Sequence, residues 1–446
     1  MARALCSSSM AAKRKYGLVI YGATGTTGRA CCDYMSTRGG GVAYAIAGRN
    51  ASALQQLAKS ITPSPDVIVA DAFDLPALQK MARQTRVVLS TAGPFATLGE
   101  GVLNACVAES TSYCDITGEI PWVSSMRRKF HKEASAKKIR VVSCVGYDSI
   151  PSDIGVFAAN RLLVDGDHGP AVRATSFHTT SGVLPRGTLN TIFASIVGDG
   201  RKKKKKAAQE SLSGGDSATR SEGMVPKSEK KAMRASLGGL ATALLPMWSS
   251  EAKCFTPVGF MATVNTPVIH ASASALGYSG LLYRERMSVR GLRREAGCFP
   301  WCYGLVSTLT STMVYAVVVP VILTLALLSK VPVLGPCVHS FASRTLTQSP
   351  STGKANAIGG HTTVVVYGVA ASGATSRVAM RAKADPGVQL TALLSCEAAV
   401  LLADAKGLAP RYGFQTPASA FGDAIIAPIV AAGIKWEESV DGAKAQ

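Results

Sequence analysis

The sequence predicts an α/β protein whose N-terminal part is a doubly wound parallel sheet and whose second α/β lobe carries a hydrophobic, membrane-associating segment. Three observations support this prediction. An apolar strand runs into a glycine-rich turn within residues 16–29, strands and helices alternate up to residue 145, and residues 296–329 contain no charged side chain. Alternation of strands with helices is typical of parallel sheets, because parallel strands need crossover connections.

The elements of the first sheet follow one another along the chain. After the first strand, which ends before Gly22, apolar runs predict strands at 42–47, 66–70, 86–90, 113–116 and 139–145. Helices are predicted at 52–59 and 121–138, and Asp74 is a predicted N-cap with Pro76 in the first helical turn. The pattern predicts a sheet of about six strands.

The turn after the first strand has the residue types that bind a diphosphate. Gly22 lets the chain leave the strand in a tight turn, Gly25 lets the backbone approach the phosphates, and Gly28 lets the next helix pack against the strand. The N–H groups at the start of that helix attract anions. Hydroxyl donors are added by Thr24, Thr26 and Thr27. The turn predicts a Rossmann-type dinucleotide-binding domain; a purely structural glycine turn is the alternative.

The end of the second strand indicates which dinucleotide binds. NAD-specific sites carry an acid there for the ribose 2′-hydroxyl, whereas this chain has Arg49. A guanidinium group suits a 2′-phosphate through charge-assisted hydrogen bonds. We therefore expect NADP(H) to be favoured over NAD(H). Asp71, after the third strand, is expected either to contact the adenine edge or to cap a turn.

Five segments together resemble a known family: GATGTTGR at 22–29, AGRN at 47–50, STAGPF at 90–95, YCDITGE at 113–119 and VGYDSIPSDIG at 145–155. They resemble the saccharopine dehydrogenase-like oxidoreductases, which include the mycobacterial trans-acting enoyl reductases. The resemblance is dense over residues 16–157 and returns weakly at 413–434. It implies a nicotinamide-binding lobe, a following α/β lobe and, for several members, association with lipid or lipid droplets.

Hydride transfer needs a nicotinamide held against the acceptor and a proton donor near the atom that gains negative charge. The loop after the fourth strand is expected to hold the nicotinamide half, with the ring of Phe95 packed on it. The other residues of this loop are Ala92, Gly93 and Pro94. In the loop after the sixth strand, Tyr147 is the candidate acid, and Asp148 and Ser149 are candidates to orient it or to bind substrate.

Other polar residues near the expected cleft have structural alternatives. Glu119 is either catalytic or a helix cap, and His178 is expected to be a structural histidine. Ser152 and Asp153 are candidate caps of the helix that follows them. The remaining candidates are Asp115, Thr117 and Arg186.

The charge of the chain is large and uneven. The formal net charge is +20, and the basic run 201–206 opens a polar insertion at 199–234 that we expect to be disordered. Such a run is either a solvated loop or a surface that attracts anionic lipid. Nucleic acid is not expected as a partner, because no interleaved aromatic residues or binding-module motif accompany the lysines.

The hydrophobic segment at 296–336 is expected to associate with a membrane; a buried core helix is the alternative. Residues 312–328 are long enough to cross a bilayer core of about 30 Å, and a basic collar at 284–294 precedes them. A hairpin predicted at 361–384 completes the second lobe with a strand at 172–179, so a single crossing would divide that lobe. Pro320 and later prolines favour a re-entrant or interfacial anchor.

The predicted organisation is a basic tail at 1–15, the dinucleotide-binding domain at 16–150, a second α/β domain at 151–385 and a C-terminal helical segment at 386–446 that packs back on the lobes. No apolar signal sequence precedes the first strand, and the 11 cysteines include no C-x-x-C pair. We therefore expect reduced thiols, no metal site, and an enzyme lobe on the cytosolic face of a membrane or lipid droplet. A homodimer is left open.

Three functions compete at this stage. The first is an NADP(H)-dependent reductase of a lipid-linked or otherwise apolar small molecule, which explains both the nucleotide site and the apolar segment. The second is a saccharopine dehydrogenase of lysine metabolism, which would give no reason for the apolar segment. The third is a catalytically silent nucleotide-binding scaffold on a membrane or droplet surface, since a fold alone does not establish activity.

Overall fold

The structure is a computed structural model of the 446-residue chain. It describes residues 14–39, 41–181, 261–287 and 360–441, together with residues 229–230, 232, 247–249, 254–256, 259 and 324. Arg186, nearly all of the basic insertion and hydrophobic segment, and most of the N-terminal tail lie outside the described residues.

The N-terminal domain alternates strands and helices, as the sequence predicts. Its elements are β1 (Tyr16–Tyr21), α1 (Thr26–Thr37), β2 (Tyr44–Gly48), α2 (Ala51–Lys59), β3 (Asp66–Val69), α3 (Leu75–Ala82), β4 (Thr85–Ser90), α4 (Phe95–Ala108), β5 (Ser112–Asp115), α5 (Ile120–Ala136) and β6 (Arg140–Val142). The strands are parallel in the order β6-β5-β4-β1-β2-β3, which reverses between β1 and β4. Ligands of such sheets bind at this reversal, beyond the carboxyl ends of the strands.

The rest of the chain builds a second sheet and covers the first. Its elements are α6 (Ile150–Asp165), β7 (Ala171–Ser181), β8 (Met247–Ser249), β9 (Cys254–Thr256), α7 (Ala262–Leu276), β10 (Leu282–Met287), β11 (His361–Ala370), β12 (Thr375–Ala382), a π-helical turn (Pro386–Leu390), α8 (Thr391–Asp404), β13 (Gly413–Gln415), α9 (Pro417–Phe421), a 3-10 turn (Gly422–Ile425), α10 (Ile426–Ala431) and β14 (Lys435–Asp441). The strands β8 and β9 form a separate two-stranded sheet.

The second sheet has the order β10-β7-β11-β12-β14. The predicted hairpin is present: β11 and β12 pair antiparallel around a turn in which Gly373 has a φ of +84°. The predicted partner strand is also present, since β11 pairs antiparallel with β7. Alternate residues of β11 are buried, which is typical of a sheet with one face on the core.

The C-terminal segment, which the sequence predicts to be helical, contains strands as well as helices. Besides helices, this segment supplies β13, which joins the first sheet beside β6, and β14, which forms an edge of the second sheet. The first sheet therefore has seven strands instead of about six. A three-residue strand and an exposed polar edge strand carry no apolar alternation, so periodicity gives no signal for them.

The first residues of the basic collar, 284–286, differ from their predicted position at a membrane interface. Residues 284–286 lie within β10, which pairs in parallel with β7. The side chains of Glu285 and Arg286 are buried. Pairing with a distant strand, which local composition does not reveal, moves these charges into the lobe.

One described stretch, Pro386–Asp404, is long and apolar enough to cross a bilayer, with 19 residues and a mean hydropathy of 1.5. Two observations mark it as a core helix: 67% of it is buried, and α8 packs against α1, β1, β4 and β5. Uniform apolarity is what a helix buried on all sides requires.

A buried ion pair joins α8 to the end of α1. Glu397 is 3% exposed and accepts hydrogen bonds from Tyr34 Oη and from Arg38, whose Nη2 lies 2.9 Å from Glu397 Oε2. We expect Glu397→Gln to lower the free energy of unfolding by about 2–3 kcal/mol, because Arg38 loses its only carboxylate partner among the described residues. Urea unfolding measures this. The control is Glu100→Gln, whose pair with Lys129 is half-exposed and should contribute less than about 0.5 kcal/mol. Equal effects would contradict the prediction.

Candidate functional site

The glycine turn has the backbone geometry that a diphosphate site needs. Gly22 directly follows β1 and has a φ of +84°, a conformation that favours glycine. A Cβ atom on Gly28 would lie 2.3 Å from the carbonyl oxygen of Gly22, so only glycine lets α1 come this close to the strand. Gly25 is exposed, and the nearest atom to a Cβ placed there is the Gly22 oxygen at 3.3 Å. The backbone at Gly25 is therefore open to a ligand.

The first turn of α1 is free of competing side chains. Gly25 is its N-cap, no side chain caps the helix, and no acidic residue lies in the first turn. The positive end of the helix dipole and its N–H groups are thus available to an anion. Half-buried hydroxyl side chains surround this turn at Thr24, Thr26 and Thr27. The turn fits the diphosphate of a dinucleotide.

Arg49 and Asp71 lie near one another beside Tyr21. Arg49 is exposed directly after β2. The pKa of Tyr21 is raised to about 12 by burial, with Asp71 also raising it and Arg49 lowering it. Asp71 Oδ1 accepts a hydrogen bond from the Phe73 N–H at 2.9 Å. Asp71 therefore caps a turn, and Arg49 is an exposed cation directly after β2, close enough to Tyr21 to affect its pKa.

The loop after β4 contacts the glycine turn. Thr91 Oγ1 donates to the carbonyl oxygens of Tyr21, at 3.0 Å, and Gly22, at 3.2 Å. A Cβ atom on Gly22 would lie 2.9 Å from the Cβ atom of Ala92. Gly93 and Pro94 are exposed. The two loops expected to hold the dinucleotide therefore meet where the strand order reverses.

The ring of Phe95 does not lie where the sequence predicts. It is 5% exposed and packs on Trp122, with ring centroids 5.7 Å apart. Phe95 is the first residue of α4, so its side chain turns into the core instead of toward the surface of the sheet edge. Only its backbone faces the loop, and the Phe95 N–H donates to Glu119 at 2.8 Å.

The Glu119 side chain caps the start of α4. Helix capping is one of the two roles that the sequence allows for this residue. Its Oε1 and Oε2 atoms accept the N–H groups of Phe95 and Ala96, at 2.8 and 2.9 Å. The nearby Asp115 is fully buried, and its carboxylate accepts from Thr117, Ser143 and Cys144. Burial raises the pKa of Asp115 to about 7. Both acids fix the loops that follow β4, β5 and β6.

The three catalytic candidates differ in their surroundings. The Tyr147 hydroxyl is buried and lies 2.8 Å from His178 Nδ1, and the Ser149 hydroxyl is buried and donates to Asn265 Oδ1 at 2.9 Å. Asp148, between them, is half-buried and has no hydrogen-bond or ion-pair partner among the described residues. Of the three residues, only Asp148 is partly exposed to solvent and has a polar group without a partner among the described residues.

His178 is a structural histidine, as the sequence predicts, and both of its ring nitrogens have hydrogen-bond partners. Its Nε2 atom lies 3.1 Å from Ser152 Oγ and 3.9 Å from Glu285 Oε2. Burial lowers the pKa of His178 to about 4, so the imidazole is neutral. Asp153 also has a partner that the sequence does not indicate, since it accepts from the Ala418 N–H at 2.8 Å. Neither Ser152 nor Asp153 caps α6, whose N-cap is Ser149 without a side-chain bond.

Sequence reasoning missed two buried residues that are linked to these side chains, Asn265 and Glu285. Asn265 Nδ2 donates to Glu285 Oε2 at 2.7 Å, and the Tyr283 hydroxyl donates to the same oxygen at 3.1 Å. Burial raises the pKa of Glu285 to about 7. A buried acid within a strand that pairs with a distant segment has no local motif, so no signal in the sequence identifies it.

The fold and the site define a Rossmann-type dinucleotide-binding protein with a second, five-stranded sheet. Residues 18–142 match the family model of the saccharopine dehydrogenase NADP binding domain. Over 95% of its length, the chain is 26% identical to a trans-acting enoyl reductase of Mycobacterium tuberculosis, of which it covers 97%. A lipid droplet localized protein of Caenorhabditis elegans is 37% identical over 172 residues, which span 36% of this chain and 39% of that relative.

A solved structure shares the fold of the chain. The apo saccharopine dehydrogenase (L-Glu forming) of Saccharomyces cerevisiae has a TM-score of 0.50 and 14% identity, covering 95% of this chain and 99% of that one. The resemblance that the motifs predict is confirmed, as are NADP(H) as cofactor and the oxidoreductase class. The chain is an NADP-binding oxidoreductase whose residues 18–142 are similar to the saccharopine dehydrogenase NADP binding domain.

Proposed function

We propose that the chain is an NADP(H)-dependent reductase of a lipid or lipid-linked substrate, acting at the cytosolic face of a membrane or lipid droplet. The observation that carries the reductase part is the open glycine turn beside the reversal of strand order, with the exposed Arg49 next to it. This arrangement has room and charge for a phosphorylated dinucleotide.

The lipid part is supported by the relatives and by composition. A relative of nearly the same length is named for reduction of enoyl groups, and another is named for lipid droplets. The chain itself carries the uncharged stretch 296–329 and the basic run 201–206. An apolar segment plus a basic run is a combination that binds anionic lipid surfaces.

In this proposal each loop has a separate task. The glycine turn holds the diphosphate, Arg49 binds the 2′-phosphate, Asp71 holds the turn that borders the adenine, and Ala92–Phe95 borders the nicotinamide. The cofactor, when bound, supplies the hydride. Tyr147, Asp148 and Ser149 border the position of the substrate and control the proton that accompanies the hydride.

Substrate choice is tested with the purified full-length protein on liposomes that contain anionic phospholipid. We expect NADPH to be oxidised by a long-chain trans-2-enoyl thioester, and we expect NADP⁺ not to be reduced by saccharopine, because the apolar segment has no use with a soluble amino acid. Loss of NADPH fluorescence measures the first reaction, and its gain measures the second. Reduction of NADP⁺ by saccharopine without enoyl turnover would assign the chain to lysine metabolism instead.

The scaffold alternative makes a different prediction for the same material. A scaffold would bind NADPH, would float with the liposomes and would turn over none of the substrates. Light scattering of the same sample measures the oligomeric state, which we propose to be a homodimer. The mass of a monomer would contradict the proposed homodimer and would leave the proposed reaction unaffected.

A further inference from the structure

The side chains of three consecutive residues in the loop after β6, Tyr147, Asp148 and Ser149, have different surroundings. Tyr147 and Ser149 are held inside the second lobe by hydrogen bonds to His178 on β7 and to Asn265 on α7. Asn265 in turn donates to Glu285 on β10. We call Tyr147, Ser149, Ser152, His178, Asn265 and Glu285 the buried cluster. Since all its members are at most 4% exposed, it fixes the loop on both sides of Asp148.

Asp148 instead lies close to the loop that follows β5. A Cβ atom placed on Gly118, after β5, would lie 3.6 Å from Asp148 Oδ2. Gly118 precedes Glu119, whose carboxylate binds the N–H groups at the start of α4. The Asp148 carboxyl therefore lies beside a loop that is hydrogen-bonded, through Glu119, to the start of α4. Gly93 and Pro94, which border the expected nicotinamide position, directly precede that helix.

The surroundings of Asp148 contain no compensating cation among the described residues. Burial raises its pKa to about 6. The titratable groups whose charge interacts with Asp148 are Tyr147, Cys144 and Glu285, none of which becomes positive. A half-buried carboxyl with neither a hydrogen-bond donor nor a cation keeps its proton to a higher pH than usual.

We propose that Asp148, not Tyr147, is the proton donor of the reduction, and that Tyr147 and Ser149 are positioning residues held by the buried cluster. This inference rests on the proposed function. As hydride adds to one carbon of the substrate double bond, the electron pair of that bond moves to the neighbouring atom. The O–H bond of Asp148 breaks, its proton bonds to that atom, and water reprotonates the carboxylate.

The kinetic test is Asp148→Asn in the full-length protein, assayed with NADPH and the long-chain trans-2-enoyl thioester. We expect kcat to fall about 100-fold, as for other general acids, with NADPH affinity unchanged. The decline of wild-type kcat above about pH 6 should be absent from the variant. Asp404→Asn, at the exposed end of α8, is the matched control and should keep wild-type kcat. Wild-type kcat and pH dependence in Asp148→Asn would overturn the proposal.

The positioning role is tested by Ser149→Ala. It should lower kcat roughly tenfold but keep the decline above about pH 6, because Asp148 remains and is only less well placed. Tyr147→Phe should behave in the same way. If Tyr147→Phe instead removes the pH dependence and Asp148→Asn does not, Tyr147 is the donor and the proposal is wrong.

A second measurement needs no substrate and so separates this proposal from the proposed function. A carboxyl whose pKa is higher in the folded state stabilises the fold below its unfolded pKa, and this contribution is lost as pH rises through about 6. Asp148→Asn lacks this loss. Its Tm should match the wild type at about pH 4 and exceed it by about 2 °C at about pH 8. If the Tm of Asp148→Asn is lower than that of the wild type at the higher pH, a cation pairs with Asp148. That result overturns the proposal even if turnover is never found.

Discussion

Replacement of Gly25 with aspartate should remove NADPH binding while leaving the fold intact. The diphosphate is expected at this residue, where α1 begins without any capping side chain. A carboxylate there would occupy the anion position and repel the phosphates, and like charges in contact cost several kcal/mol. We expect affinity for NADPH to fall roughly 1,000-fold in a fluorescence titration.

The substitution is informative because aspartate suits the backbone. Gly25 has φ −73° and ψ 169°, which any residue adopts, and aspartate is a favoured N-cap. A Cβ atom there would lie 3.3 Å from the Gly22 carbonyl oxygen, so a small backbone shift offsets the gain from capping and the Tm of Gly25→Asp should stay close to that of the wild type. Gly25→Ser is the matched control, since it caps the helix without charge and should retain measurable affinity. Unchanged NADPH affinity in Gly25→Asp would refute the diphosphate site and the redox function with it.

Replacement of Arg49 with glutamate should reverse the preference between the two cofactors. Arg49 is the exposed cation after β2, where the 2′-phosphate of NADPH is expected. Its loss removes a charge-assisted hydrogen bond of about 1.5–3 kcal/mol, and the new carboxylate repels the phosphate. We expect the ratio of NADPH to NADH affinity to fall roughly 100-fold or more.

Two comparisons isolate the contribution of the phosphate. NADH affinity should stay the same or rise in Arg49→Glu, because a carboxylate can accept from the ribose 2′-hydroxyl. Lys59→Glu, an equal charge change at the exposed end of α2, should leave the ratio unchanged apart from a small general effect. If Lys59→Glu changes the ratio as much as Arg49→Glu, the effect is one of net charge and Arg49 is not the phosphate ligand.

Parts of the fold that depend on residues close in sequence agree with the prediction. The strand, glycine turn and helix at 16–37 lie next to one another along the chain, and glycine at 22 and 28 is required by a positive φ and by a close approach. The hairpin of β11 and β12 is also local and was predicted correctly. Asp71 and Glu119 were assigned two roles each, and only their hydrogen bonds show that both cap backbone groups.

Sequence by itself determined the nucleotide-binding domain, its cofactor class and its loops, because strand, turn and helix preferences act over a few residues. The tertiary structure alone decided the burial of Phe95, the partners of His178, the two late strands and the contrast between Asp148 and its neighbours. Each of these depends on segments that are far apart in the chain, such as Ser149 with Asn265 and β13 with β6. Burial and hydrogen bonding between such segments arise only when the whole chain packs, so no local pattern of residues encodes them.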